Sequence, residues 1–196
     1  MKSTIMSKLT VALLLLAATS LQANATTIDF NNGLNPFFTY VGVDTQGKFS
    51  AGSGYDKMLD ATGNTLSAFN PFEASPSYFT KAGAGTFDLS SLIIDGAWGS
   101  QTLTIQGLSG GKLLYSQAVA VTINPESVSL NWLGINEMVI MTGTDFVQDP
   151  SISDFSGDHW VLGDLVVEDN SVPEPASIAL LGLGLAGLAA SRRKKQ

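Results

Sequence analysis

The central part of the chain alternates apolar and polar residues over short stretches, and it contains no window with the periodicity of an amphipathic helix. Gly, Ser, Thr and Asn recur every few residues, which breaks any helical repeat of apolar side chains. Strict alternation marks residues 102–106 and 127–132, and a β-rich segment at 113–121 follows the Gly110-Gly111 turn. Further strand candidates are 27–30, 38–43, 66–69, 78–80, 92–94, 137–141, 160–162 and 164–168. The pattern predicts about ten or eleven strands in an all-β domain.

The connections between these strands decide the type of sheet. Parallel strands need crossover connections of about a dozen residues or more, usually helices, and the sequence supplies none between its strand candidates. We therefore expect an antiparallel β-sandwich, with helix confined to the two ends of the chain. A closed barrel remains the alternative, because hydrophobic periodicity does not distinguish the two architectures.

The first 25 residues have the layout of a signal peptide. Lys2 and Lys8 lie in a region without acidic residues, and the apolar run at 9–18 follows them. That run is about half the roughly 20 residues that a membrane-spanning helix needs. Ala23-Asn24-Ala25 is a small-x-small cleavage site. We expect the mature chain to begin at Thr26.

The last 24 residues combine a proline motif, an apolar stretch and a basic tail, in that order. Pro173 and Pro175 flank Glu174, and two prolines so close together end any regular element. The apolar stretch at 177–190 is predicted to be a short transmembrane helix, and the positive-inside rule keeps the charges that follow it in the cytoplasm. Those charges are Arg192, Arg193, Lys194 and Lys195. The span would reach only about 22 Å, shorter than a ~30 Å hydrocarbon core.

This arrangement resembles the PEP-CTERM sorting signal of Gram-negative bacteria. The resemblance implies recognition of Pro173, Glu174 and Pro175 by an exosortase-type membrane enzyme. It also implies transient anchoring in the inner membrane, release to the cell surface or the medium, and association with exopolysaccharide or biofilm. The predicted organisation is therefore a signal peptide at 1–25, an ectodomain at 26–172 and a sorting signal at 173–196.

A second, looser resemblance covers the strand candidates between residues 86 and 168. It is carried by Phe87-Asp88-Leu89, Trp98, the alternating segments at 103–107 and 128–132, and the closing segment 160–167 (WVLGDLVV). Together these look like the galactose-binding-like jelly-roll domain that is frequent in PEP-CTERM proteins. The closing strand of that pattern usually has two adjacent polar residues, whereas here Gly163 precedes Asp164. The missing polar side chain at position 163 argues against a metal or ligand contact inherited there.

The charge of the predicted ectodomain excludes one class of partner. Residues 26–172 hold sixteen acidic side chains, four lysines and no arginine, a formal charge of −12. A surface of this sign repels phosphate backbones, so we expect no nucleic-acid binding. The chain also has no cysteine, which excludes thiol chemistry and makes stability depend on a hydrophobic core.

Two sets of residues are candidates for ligand contacts. Trp98 and Tyr55 lie in glycine-containing turns and could stack on sugar rings. Asp29 and Asp164 lie on the predicted first and last strands, which a jelly roll brings together, and are candidates for a structural calcium ion. No other cofactor is expected. The acidic loop at 146–160, with Asp149, Asp154 and Asp158, is a further calcium candidate without the spacing of an EF-hand.

Catalysis is not expected from this residue set. His159 is the single histidine, and no Gly-x-Ser-x-Gly segment presents a nucleophile. Paired carboxylates for glycoside hydrolysis have no fixed spacing along a chain, and no pair stands out among these acids. The sequence favours a non-catalytic surface or matrix protein. The alternatives are a carbohydrate-binding module and, less favoured, a polysaccharide hydrolase.

Overall fold

The computed structural model describes residues 25–46, 53–58, 67–72, 76–153 and 156–170. These residues form twelve antiparallel strands and one four-residue helix. The strands are β1 (Ala25–Ile28), β2 (Phe38–Val41), β3 (Asp44–Gln46), β4 (Ser67–Phe69), β5 (Ser77–Lys81), β6 (Thr86–Gly96), β7 (Gly99–Ser109), β8 (Lys112–Val121), β9 (Glu126–Ile135), β10 (Glu137–Met141), β11 (Val147–Gln148) and β12 (Trp160–Asn170), and the helix is α1 (Gly54–Lys57).

The strands divide into two six-stranded sheets. Sheet I has the order β3-β4-β12-β6-β9, and β1 also pairs with β12. Sheet II has the order β11-β7-β10-β5-β2, and β8 pairs with β7. The last of the described strands, β12, is therefore central in sheet I, where it pairs with β6 along one edge and with β1 and β4 along the other.

The two sheets pack face to face because their long strands alternate as the sequence does. In β7, Leu103 and Ile105 are fully buried, while the alternate positions 102, 104 and 106 are half-buried. In β9, Val128, Leu130 and Trp132 are buried with the same alternation. Aromatic rings fill one part of this core, with edge-to-face contacts among Phe37, Phe38, Tyr40, Phe79 and Phe87.

A second, smaller apolar cluster lies outside the main core. It consists of Met58, Ala97, Trp98, Ile123, Ile152 and Val161, with Phe69, Ile93 and Phe146 packed against it. Met58 follows α1 directly and lies over β12 at Gly163, where an added Cβ would be 2.8 Å from the methionine sulfur. This cluster covers one end of the outer face of sheet I.

The structure confirms the all-β class and the antiparallel sandwich, since the strands form two stacked sheets rather than one closed sheet. Three short elements were not predicted, namely β3, α1 and β11. The segments predicted at 160–162 and 164–168 form one strand, because Gly163 lies in an irregularity of the β12–β6 register rather than at a strand end.

Candidate functional site

Polar side chains gather at the end of the sandwich where α1 meets the turn between β6 and β7. The amide of Gly54 donates a hydrogen bond to the carbonyl of Ala97 (2.8 Å). A Cβ at position 54 would overlap the carbonyl oxygen of Gly96 and come within 2.5 Å of Oδ1 of Asp95. Glycine is therefore required for this close approach of the helix to the turn. At the other end of α1, Nζ of Lys57 donates to Oδ1 of Asn124 (3.0 Å).

Asp95 is the most unusual ionisable group of this region. Its side chain is 0% exposed, and neither of its carboxyl oxygens has a hydrogen-bond partner among the described residues. Burial raises the pKa of Asp95 well above its ordinary value, and the positive charge of Lys57 opposes that rise only in part. The carboxyl group therefore favours its neutral form. A carboxyl group so deeply buried does not contact a solvent-borne substrate in this conformation.

His159 is held by the backbone rather than presented to solvent. Its Nδ1 lies 2.6 Å from the carbonyl oxygen of Asn70, and because a carbonyl only accepts, Nδ1 carries the hydrogen in this bond. The side chain of Asn70 in turn accepts a bond from the amide of Trp160 (2.7 Å). The carbonyl of His159 accepts from the side chain of Gln101 (2.8 Å) and from the amide of Ala97 (3.0 Å). This network fixes the entry to β12.

Trp98 belongs to the same region and is largely buried. Its side chain is 5% exposed, it packs in the smaller apolar cluster, and its ring meets the edge of the His159 ring at 4.6 Å between centroids. A sugar could stack on Trp98 only if this cluster opened. Tyr55 lies in α1, and its side chain is outside what the structure describes. Glycan contact at Trp98 and Tyr55 therefore stays a prediction.

The two aspartates proposed for calcium occupy adjoining strand positions. The β1–β12 register ends at the pair Ile28 and Leu165, so Asp29 and Asp164 are the next residues of the two strands. Asp164 is 5% exposed, and Oδ1 of Asp29 accepts a bond from the amide of Asn31 (3.1 Å). Within the described residues no group of three or more His, Cys, Asp or Glu side chains could hold a metal. Calcium takes six to eight oxygen ligands, so backbone carbonyls or water would have to complete such a site.

The acidic loop before β12 satisfies one of its carboxylates internally. Asp149 accepts hydrogen bonds from the amide (2.8 Å) and the hydroxyl (2.5 Å) of Ser151, and these bonds lower the pKa of Asp149. Asp145 is bonded in the same way to the hydroxyl and the amide of Thr102, and its pKa is also lowered. Asp149 thus caps a local turn, whereas Asp145 ties its loop to the start of β7. Asp154 lies outside the described residues.

The outer face of sheet II has a different character. Phe79 belongs to the core, so its neighbours Tyr78 and Thr80 point to the opposite side of the sheet, where both are half-buried. Cross-strand register places Val139 between Tyr78 and Gln106. Thr80 donates a hydrogen bond to the carboxylate of Glu137 (2.8 Å). A half-buried aromatic ring beside hydroxyl and amide groups suits stacking on a sugar combined with hydrogen bonding.

Sequence reasoning did not single out Asp95, Asn70 or Gln101. Gln101 carried a usable signal, because it alternates in phase with Leu103 and Ile105 and thus falls on a core-facing position. Asp95 and Asn70 carried none, because the segments that bury them are distant in the chain.

The predicted sorting residues, the span at 177–190 and the basic tail at 192–195 lie outside the described residues, as does most of the predicted signal peptide. Among the residues that are described, no helix is long and apolar enough to cross a membrane. The last described residue is Asn170, where β12 ends.

Comparison with known proteins adds two findings. Among solved structures, the chain is similar to the xylan-binding domain CBM22-1 of Xyn10C from Paenibacillus barcinonensis, with 11% identity, a TM-score of 0.43, and 79% of this chain and 99% of that chain covered. It is also similar to a variant of the family 29 carbohydrate binding module CBM29-2 complexed with mannohexaose, with 13% identity, a TM-score of 0.45, and 77% and 94% covered. Likeness at these values concerns the fold alone.

A search of curated proteins found no match to the chain. A family model does match its C-terminal part, at residues 171–194, and that model describes the PEP-CTERM protein-sorting motif. The matched range contains the proline motif, the apolar stretch and most of the basic tail that the sequence resemblance identified. This chain carries a PEP-CTERM protein-sorting motif at residues 171–194.

Proposed function

We propose that this chain is an exported protein, and that its β-sandwich is the part delivered to the cell surface or the medium, where it acts without catalysing a reaction. The observation that carries the proposal is the position of the sorting motif, which begins at residue 171, directly after β12 ends at Asn170. Cleavage within the motif would leave every described strand in the released protein.

The topology of sheet I explains why that position matters. Because β12 pairs with β6, β1 and β4, a cut upstream of Asn170 would remove strand pairing from the centre of the sheet. In the proposed sequence of events, the span at 177–190 holds the chain in the inner membrane, and Arg192 to Lys195 keep its end in the cytoplasm. Pro173 and Pro175 keep the motif extended and accessible to an exosortase-type enzyme.

Processing is tested by replacing Pro173, Glu174 and Pro175 together by alanine in the full chain. We expect the variant to stay unprocessed in the inner membrane, while the wild-type protein is released without residues 178–196. A Ser177→Ala variant is the matched control and should be processed normally. Intact-mass analysis of released protein that still contained Arg192 to Lys195 would contradict the sorting proposal and leave a plain membrane anchor.

The orientation of the chain has its own test. Reporter fusions after Val172 and after Gln196 should report opposite compartments, because the basic tail is retained in the cytoplasm while the domain is exported. The same compartment for both fusions would refute export of the sandwich.

Binding of a carbohydrate, such as an exopolysaccharide of the producing cell, is the second candidate function. The feature that favours it is the outer face of sheet II, where Tyr78 is half-buried near Thr80 and Gln106. We expect Tyr78→Ala to abolish a signal on a glycan array. Trp98→Ala tests the site predicted from the sequence. Loss of the signal in Trp98→Ala with retention in Tyr78→Ala would move the site to the α1 end of the sandwich.

A polysaccharide hydrolase is the least favoured function. His159 is bound to the backbone and Asp95 is buried, so neither is positioned to act on a polymer in solution. Incubation of the purified domain with the producer's own polysaccharide should release no reducing sugar. A time-dependent release that survives further purification would overturn the assignment as a non-catalytic protein.

A further inference from the structure

One side of the sandwich consists of two long free strand edges. Among the described strands, β8 pairs only with β7 and β9 pairs only with β6, and each free strand is ten residues long. Tyr115 of β8 stacks on Trp132 of β9, with 5.4 Å between ring centroids. The hydroxyl of Tyr115 also accepts a hydrogen bond from the amide of Leu133 (3.3 Å) and donates one to its carbonyl (3.2 Å), so the edge of β9 is occupied at Leu133. The two edges therefore lie next to each other on the same side of the molecule.

This side is almost without charge in a domain that is otherwise strongly acidic. The strands β8 and β9 hold two charged residues, Lys112 and Glu126, each at the first residue of its strand, whereas residues 26–172 have a formal charge of −12. Leu113, Leu114 and Leu133 are exposed here, with Leu133 at 62%. Exposed apolar side chains on an uncharged edge strand are features of a surface that binds another strand.

The other edge strands of the two sheets are protected. The strands β1 and β2 have four residues each and β3 has three, and β3 begins with the charged side chain of Asp44. Short length and charge are the usual means by which proteins prevent association of sheet edges. β8 is ten residues long, has no charged residue except Lys112 at its first position, and contains no proline.

Regular geometry makes β8 a better template than β9. The register between β7 and β8 runs from Gln101–Val121 to Ser109–Lys112 with one irregularity near the hairpin turn. In β9, by contrast, Asn131 and Gly134 have positive φ angles of 53° and 67°, which interrupt the extended edge. Small side chains at 116, 118 and 120 on the outer side of β8 also allow another strand to approach closely.

We propose that β8 is the contact between two copies of this chain, which pair antiparallel through this strand and extend sheet II across a two-fold axis. The charge distribution favours a second copy over a basic partner at this edge. A basic protein would be attracted to the acidic surface elsewhere, whereas a second copy is repelled by that surface. The uncharged edge is the place where two such copies meet without burying like charges.

The absence of cysteine allows a direct test on the full chain in the producing bacterium. Single substitutions Ser116→Cys, Ala118→Cys and Ala120→Cys place one thiol each along β8, and a short bis-maleimide is added to intact cells. We expect at least one of them to give a cross-linked species of twice the chain mass, with or without the sorting tail. Val41→Cys is the control, because Val41 is 64% exposed on β2, the opposite edge of the same sheet.

Charge variants then test whether strand pairing causes the cross-link. The reporter is the most reactive of the thiols at positions 116 and 120. Ala118→Lys and Ala118→Glu should each reduce the cross-linked fraction about tenfold, because antiparallel pairing of the two β8 strands brings the new charge close to the same charge on the second copy. Ala118→Thr keeps strand propensity and adds no charge, so its cross-linking should match the parent. The proposal would be overturned by a Val41→Cys variant that cross-links equally, or by the absence of a dimer at every β8 position. Products of other masses, or a cross-linked fraction that Ala118→Lys does not change, would also overturn it. Because processed and unprocessed chains both count, a failure of sorting does not affect the result.

Discussion

Replacing Asp95 by asparagine should make the domain more stable at neutral pH than the wild type. The carboxyl group is buried beneath α1 without a hydrogen-bond partner among the described residues, and burial raises its pKa well above the ordinary value of 3.8. At pH 7 the wild-type protein must therefore either hold a proton against the solvent or bury a charge. Asparagine has nearly the same shape and never ionises. We expect the Asp95→Asn substitution to raise the free energy of unfolding at pH 7 by about 1–3 kcal/mol.

The pH dependence distinguishes this mechanism from a general packing effect. The folded protein binds the proton of Asp95 more tightly than the unfolded chain does. The contribution of Asp95 to the free energy of unfolding is therefore most favourable below the ordinary pKa of 3.8. It is lost progressively as the pH rises above that value, until the raised pKa of the folded state has been passed. One proton limits the slope to about 1.4 kcal/mol per pH unit. Wild type and Asp95→Asn should thus be close in stability near pH 4 and diverge as the pH rises.

Urea denaturation of the purified domain between pH 4 and pH 8, followed by tryptophan fluorescence, measures this difference. Lys57→Met should extend the loss of stability of the wild type to higher pH, because the charge of Lys57 lowers the pKa of Asp95, and it should have no such effect in Asp95→Asn. Asp145→Asn is a matched control, because hydrogen bonds from Thr102 lower the pKa of Asp145 and its contribution to stability is lost only below the ordinary pKa of 3.8. Its difference from the wild type should therefore stay nearly constant between about pH 4 and pH 8. A constant difference between wild type and Asp95→Asn at every pH would refute the reasoning.

Three further predictions concern other contacts of the sandwich. Gly54→Ala should destabilise the domain by about 1–3 kcal/mol, since the new methyl group overlaps the backbone of the β6–β7 turn; thermal unfolding measures this. Calcium should raise the unfolding temperature of the wild type, and Asp164→Asn should abolish the shift; an equal shift in both would contradict the calcium proposal. Asp169→Ala should cost about 1–3 kcal/mol because it leaves the buried ammonium of Lys81 without its 3.1 Å ion pair, whereas Lys81→Met should cost less; the reverse order in urea denaturation would refute this.

The sequence predicted best the parts of the fold whose signal is local. β7 and β9 were recognised because their alternation follows directly from having one face in the core. β6 was predicted only at 92–94 although it spans Thr86–Gly96, because polar residues at 88, 90 and 91 interrupt its apolar pattern. The sorting motif was found completely from the sequence because its recognition depends on the order of neighbouring residues rather than on tertiary contacts.

The candidate site was harder to predict because distant segments create it. Trp98 was expected in a turn, and it does lie between β6 and β7, but Met58 and Ile152 come from elsewhere in the chain to cover it. Asp95 looked like an ordinary acid at a strand end, which is usually exposed. It is buried only because Gly54 allows α1 to approach the turn. Neither the burial of Trp98 nor that of Asp95 leaves a periodic signal in the neighbouring sequence.

The position of β12 connects folding with export. This strand is the last that the structure describes and is also central in sheet I, so the sheet is complete only when the chain up to residue 170 is available. The sorting motif starts at the next residue. In the proposed export, a domain held by this tail completes its fold close to the membrane, and β12, which is central in sheet I, lies beside the site where processing is proposed. We expect the pairing of β12 with three neighbouring strands to protect it from the proposed processing enzyme and to direct cleavage to the proline motif that follows.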